Sequence, residues 1–291
     1  MANTEFIRTD LASEAKEAAN IENIRGISYR ETELHGVSVS DMKISSEEGS
    51  SIIGKPVGRY ITVECKKSWL LSDEEKENVI SALTDFITEL IPKGEKTVLV
   101  VGLGNRDITP DSLGPRTVDS LIVTRHVKEF DRKLFDSIGQ EEVAAVAPGV
   151  VGQTGIETLE LIRGAVERVK PDVVIAVDAL AARSVDRLGS TLQLSDTGIS
   201  PGSGIGNRRR EINRTSIGVP VIAIGVPTVV DSSTLVYDAL SKAGIEDIDD
   251  PLKKVLENGR SFFVSLKESD VAVAESASLI SSALNRAFCR G

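Results

Sequence analysis

The 291-residue sequence is poor in the residues that most often carry redox, metal or stacking chemistry: it has 2 Cys, 2 His and 1 Trp, and aromatic residues make up only 4% of it. Cys65 and Cys289 lie in neither a Cys-x-x-Cys nor a zinc-like spacing, so both read as reduced, structural thiols. His35 and His126 have no ligand partners in the surrounding sequence, which leaves a metal or catalytic role for either unsupported. No apolar run approaches the roughly 18 residues needed to span a bilayer, and the N-terminal residues form no signal-peptide-like segment. The expectation is a cytoplasmic protein with no membrane partner. Basic charge is also short, with 34 Lys and Arg against 44 Asp and Glu, and the formal net charge of −10 opposes direct nucleic acid binding.

What the chain does have is a core, with 41% hydrophobic residues, enough for one large α/β domain. The runs Val98-Leu-Val-Val101 and Val173-Val-Ile-Ala-Val177 are unbroken rather than alternating. Such runs suit parallel strands covered on both faces, whose ligands gather beyond the strand C-terminal ends. Further strands are expected at 142–147, 191–195 and 219–224, with helices near 231–243 and 268–287. Ser72-Asp-Glu-Glu75 and Thr154-Gly-Ile-Glu157 are capping-box signatures, each followed by apolar residues at helical spacing. The alternation predicts a three-layer α/β/α sandwich with a mostly parallel sheet over residues 72–287. Period-two patterns in Val37–Ile44 and Tyr60–Cys65 add a small N-terminal sheet. Residues 1–35 are polar and read as an extension, leaving 36–291 as a single domain.

Two acidic residues follow the apolar runs. Asp111 ends Gly102-Leu-Gly-Asn-Arg-Asp-Ile-Thr-Pro-Asp111, a glycine-bearing loop that can present a carboxylate, and Asp178 directly follows Val177. Each has a plainer reading: Asp111 as a helix cap, Asp178 as one half of an ion pair with Arg183 or Arg187. If the two meet, repulsion and burial leave a proton shared between them, and such a pair can activate water and protonate a leaving amine. A dinucleotide-binding reading of Gly102-Leu-Gly fails at Asp107, where the fingerprint needs a third glycine. Ser200–Arg214 carries glycines and four arginines, suited either to a solvated loop or to an anion-reading flap over the carboxylates.

Combined, Gly102-Leu-Gly-Asn105, Thr109-Pro-Asp-Ser-Leu-Gly-Pro115, Val146-Ala-Pro-Gly-Val-Val-Gly-Gln-Thr-Gly155, Ala176-Val-Asp-Ala-Leu-Ala-Ala-Arg183 and Pro201-Gly-Ser-Gly-Ile-Gly-Asn-Arg-Arg209 resemble the spore germination endopeptidases. The resemblance spans nearly the whole chain, with a shorter stretch between Asp231 and Phe263. It implies a fold like that of hydrogenase maturation endopeptidases and an atypical aspartic endopeptidase with Asp111 and Asp178 as its essential pair. It further implies small acid-soluble spore proteins as substrates, a zymogen, a homotetramer, and a place in the forespore or spore core. No metal or other cofactor is expected. Thr9-Asp-Leu-Ala-Ser-Glu-Ala15 is similar to the sequence the family cuts, so residues 1–10 are the candidate propeptide, removed between Asp10 and Leu11. Arg183, Arg208 and Arg209 are the candidates for reading the substrate's acidic side chains. Two alternatives stand beside this: a metal-assisted hydrolase using the same carboxylates as ligands, and a non-catalytic nucleotide- or anion-binding α/β module.

Overall fold

In the computed structural model, which describes residues 8–19, 25–94, 96–202, 209–245, 249–258 and 262–289, the chain forms one nine-stranded sheet with helices on both faces. The strands are β1 (Ile27–Leu34), β2 (Val37–Ile44), β3 (Gly58–Glu64), β4 (Thr97–Gly102), β5 (Glu142–Val146), β6 (Val173–Ala182), β7 (Thr191–Ser195), β8 (Val221–Asp231) and β9 (Phe263–Ser265). Their order is β1-β2-β3-β7-β8-β6-β4-β5, with β9 pairing β8. Parallel pairing is confined to the central block β8-β6-β4-β5. The small N-terminal sheet, β1 to β3, joins that block through the antiparallel pair β3–β7 and makes the whole sheet mixed.

Both faces of the central strands are covered, which is why their sequences read as unbroken apolar runs. Val98, Val100, Ile175 and Val177 point to one face and meet Val79, Leu83 and Ile87 of the helix Asp73–Leu90 and Val273, Ile280 and Leu284 of the helix Ser269–Ala287. Leu99, Val101, Val174 and Ala176 point to the other and meet Leu159 and Ile162 of the helix Thr158–Val169. These side chains are almost wholly removed from water. Burying each of the valines, leucines and isoleucines contributes about 1.5–3 kcal/mol, so the central strands form a stiff platform for the loops at their C-terminal ends.

Local signals fared unevenly. The Ser72 box forms: its hydroxyl accepts from Glu75 N while Glu75 accepts from Ser72 N. The Thr154 box does not. Thr154 instead ends the short helix Val151–Thr154, Gly155 turns the chain at φ 69°, and the longer helix starts at Thr158 with no side-chain cap. Strand β1 lies inside the stretch read as an extension. It sits at the sheet edge and alternates no clear apolar face, so period-two reading had nothing to detect.

Two features of β6 and β8 matter for the site. Strand β6 continues five residues' worth of pairing beyond the level at which β4 ends, since Gly102 pairs with Val177 while β6 and β8 stay paired to Ala182 and Val230. A register shift falls there, with Leu180 opposite Pro227 and Ala181 opposite Val229, so Thr228 is the extra residue of a bulge.

Candidate active site

Asp111 is presented by the loop that fills the space where β4 stops. Leu103 N donates to Val177 O at 2.8 Å, docking the start of the loop on β6. The loop then folds on itself: Asn105 N donates to Asp111 Oδ2 at 2.8 Å, and Asp111 N to Ile108 O at 2.8 Å. Gly104 adopts φ +110°, and a Cβ there would stand 2.0 Å from Asp111 O, so glycine is required twice over. The far end is held by the bulge, where the Thr228 hydroxyl donates to Pro110 O at 2.7 Å. Asp111 caps its own loop rather than a helix; Ser112 precedes the helix Leu113–Asp119.

Asp178 lies within β6, opposite Gly225 of β8 and one residue beyond the Gly102 pairing level. Period-two alternation places Leu180 and Ala182 on its face. Its side chain is 5% exposed, and Oδ1 accepts from Ala179 N at 2.9 Å. Neither nearby arginine pairs with it. Arg183 Nε donates to Asp238 Oδ1 at 3.0 Å, and Arg187 pairs with Glu64 and Glu17.

The two aspartates line one cavity of about 210 Å³, together with Asp10, Leu180, Arg209 and Thr228. Burial raises the Asp178 pKa well above its ordinary value, and the neighbouring Asp111 and Asp10 carboxylates push it further up. Asp111 is raised by burial too, against the Asn105 N–H and the positive charge of Arg209, which favour its ionised form. Arg209 is therefore the cation felt by both carboxylates. Arg208 lies outside the described residues. The Arg183 guanidinium, engaged by Asp238, lines neither this cavity nor the larger one beside it.

The segment Arg8–Ala19 runs through this site. Asp10 N donates to Ala181 O at 2.8 Å, and Ala181 N donates back to Asp10 Oδ2 at 2.9 Å, so Asp10 docks on the overrunning end of β6. Leu11 is wholly buried against Leu180, Ala182, Leu188 and Val230. The helix Ala12–Ala19 follows, and Glu14 accepts from Arg183 N at 2.7 Å and Ser184 N at 3.0 Å. Between Asp10 and Leu11, the peptide carbonyl of Asp10 accepts from Lys55 Nζ at 3.0 Å and Gln193 Nε2 at 3.1 Å. This segment also borders the second cavity, of about 780 Å³, which Asp178, Lys55, Gln193 and Arg209 line.

A family model described as germination protease matches residues 5–245 of the chain. The chain belongs to the germination protease family. A germination protease of Caldanaerobacter subterraneus is 45% identical over 98% of this chain and 95% of its own. Those of Oceanobacillus iheyensis and Clostridium tetani are 44% and 40% identical, over 88% and 91% of this chain and 74% and 81% of theirs. Among solved structures, a NiFe hydrogenase maturation protease of Thermococcus kodakarensis is similar at 14% identity and a TM-score of 0.33, over 59% of this chain and 97% of that one. As a germination protease family member the chain is a peptidase.

Membership in the germination protease family does not by itself single out Lys55 and Gln193, and sequence reasoning missed both. Each acts on main-chain atoms, and neither sits at a strand end of the parallel block. Among the described residues no group of three or more His, Cys, Asp or Glu side chains is arranged to hold a metal ion, and no helix is long and apolar enough to cross a membrane.

Proposed function

We propose that the chain is a self-processing aspartic endopeptidase of the germination type, with Asp111 and Asp178 as its dyad and small acid-soluble spore proteins as its substrates. The observation that carries this reading is the shared cavity: both carboxylates line it, and the Asp10–Leu11 segment lies along it. Asp178, the more deeply buried, holds the proton; Asp111, flanked by an amide N–H and by Arg209, holds the charge. Asp111 takes a proton from water as the water attacks the Asp10 carbonyl carbon. Asp178 gives its proton to the Leu11 nitrogen as the C–N bond breaks.

The selectivity of the site derives from the same contacts. An acidic residue before the cut bond is held through its carboxylate by Ala181 N, and an apolar residue after it fills the pocket of Leu180, Ala182, Leu188 and Val230. In the uncut chain that place is taken by its own N-terminal segment, which accounts for a zymogen. Removal of residues 1–10 vacates the acidic side of that place, and the new N-terminus carrying Leu11 then has to withdraw from the apolar pocket for another chain to enter. Assembly as a homotetramer and action in the spore core belong to the same proposal.

The test is incubation of the purified full-length chain, then N-terminal sequencing and a cleavage assay on a spore-protein peptide with an acidic-then-apolar site. A new start at Leu11 and cleavage of the peptide are expected. A start elsewhere would sink the processing assignment, and a peptide left intact by the processed chain would sink the endopeptidase reading.

A further inference from the structure

We propose that Lys55 and Gln193 are catalytic residues that form the oxyanion site of this peptidase, holding the carbonyl oxygen of the bond to be cut. The inference rests on Asp10–Leu11 being a bond the enzyme hydrolyses, and it names the groups that take the charge developed there.

The geometry converges on one atom. Lys55 Nζ donates to Asp10 O at 3.0 Å and to the preceding carbonyl, Thr9 O, at 3.1 Å. Gln193 Nε2 donates to the same Asp10 O at 3.1 Å, while its Oε1 accepts from Ala12 N at 2.6 Å. Turning the amide over would set donor against donor at Ala12 and acceptor against acceptor at Asp10, so the network fixes its orientation. Gln193 thus spans the Asp10–Leu11 bond, reading the main chain on both sides of it. No side chain of the segment takes part in these contacts, so another peptide in the same place would be held in the same way.

Two features separate this clamp from ordinary packing. Gln193 is a buried amide on β7, and Lys55 comes just after the helix Glu47–Ile53, so two elements remote in sequence supply donors to one oxygen. The Lys55 ammonium donates to neutral carbonyls, and burial lowers its pKa below the ordinary lysine value although the Asp10 and Glu14 carboxylates nearby offset part of that cost. A cation that donates to a neutral oxygen, and is only partly offset by carboxylates further off, gains when that oxygen becomes anionic. Both side chains also line the larger cavity beside Asp178, where they remain to meet an incoming chain once residues 8–10 leave.

In the step itself, the water oxygen bonds to the Asp10 carbonyl carbon as Asp111 accepts a water proton. The carbonyl electron pair moves onto oxygen, where the Lys55 and Gln193 N–H groups stabilise it. On collapse that pair re-forms the carbonyl, the C–N bond breaks, and the Leu11 nitrogen takes the proton from Asp178. One carboxylate has gained a proton and the other has lost one, so the dyad is restored by exchange with solvent.

The experiment compares wild type with Lys55→Met, Lys55→Arg and Gln193→Met in full-length protein, tracking the new N-terminus. It then measures kcat and KM of each on the acidic-then-apolar peptide, with thermal denaturation as the check on folding. Loss of one oxyanion donor is expected to lower kcat about 10²–10³-fold while KM changes little, and Lys55→Arg is expected to recover part of the loss. Should Lys55→Met fail to fold, Gln193→Met and Lys55→Arg carry the same comparison. A wild-type start at Leu11 with wild-type kcat in the folded variants overturns this inference alone. A wild-type start elsewhere removes it together with the processing assignment, and a rise in KM with kcat unchanged reduces the pair to binding groups and also overturns it.

Discussion

The Thr228 hydroxyl donates to the Pro110 carbonyl at 2.7 Å, so the strand paired with that of Asp178 also grips the residue next to Asp111. One bulge in β8 thereby ties the segments that carry the two aspartates together. Thr228→Val keeps the shape and removes the donor. It is expected to cost about 1 kcal/mol in stability, and by letting Asp111 drift, to lower kcat about 10- to 100-fold with KM little changed. Steady-state kinetics beside urea denaturation would check this, and a stability loss with kcat intact would show that the bond only packs the loop.

Gly104 offers a sharper test of the same loop. Alanine there must adopt φ +110° and bring its Cβ to 2.0 Å from Asp111 O. Strain of about 1–3 kcal/mol is expected by chemical denaturation, with the Asp111 loop displaced and cleavage lost. Retained activity in Gly104→Ala would mean that Asp111 need not stand where this loop puts it.

The pH dependence comes from Asp178. Its folded pKa is raised by burial, then by Asp111 and Asp10, so the ionised form is the one penalised by folding. The penalty is absent below the ordinary carboxylate value, near 4, and grows as pH rises toward the folded pKa. Asp178→Asn should therefore raise the thermal midpoint of the full-length chain at neutral pH, with the gain fading toward pH 4. Removing the Asp10 charge, as Asp10→Asn, should move the alkaline limb of the cleavage profile to lower pH. Scanning calorimetry across pH measures the first, and a pH–rate profile the second.

Arg183 and Arg209 should separate cleanly. Arg183 is committed to Asp238, so Arg183→Met is expected to lose about 1–3 kcal/mol of stability, by leaving the buried Asp238 with Lys242 as its cation, and to keep KM for an acidic peptide. Arg209 lines both cavities and lowers the pKa of both aspartates. Arg209→Met should shift the pH–rate profile upward. Equal effects of the two substitutions on KM and on the profile would contradict this division.

What could be read from sequence was whatever burial writes into it. Val98–Val101 and Val173–Val177 announced covered parallel strands, and the glycine loop and Asp178 stood out because they interrupt apolar runs. The run misled in one respect: Asp178 read as the end of β6 but lies inside it, since Ala179–Ala182 continue the pairing with β8. Nearness in sequence also suggested Arg183 as a partner, yet Asp238 takes it. Lys55, Gln193 and Thr228 left no pattern at all. Each does its work through a main-chain atom of a distant segment, and such a contact constrains neither periodicity nor composition.

The most direct test of the account is the mass of the N-terminal fragment released by purified full-length protein, compared among wild type, Asp111→Asn and Asp178→Asn. Wild type is predicted to release residues 1–10 and leave Leu11 as the new start, while both folded variants stay intact. Release of the same fragment by either variant at the wild-type rate would contradict the dyad.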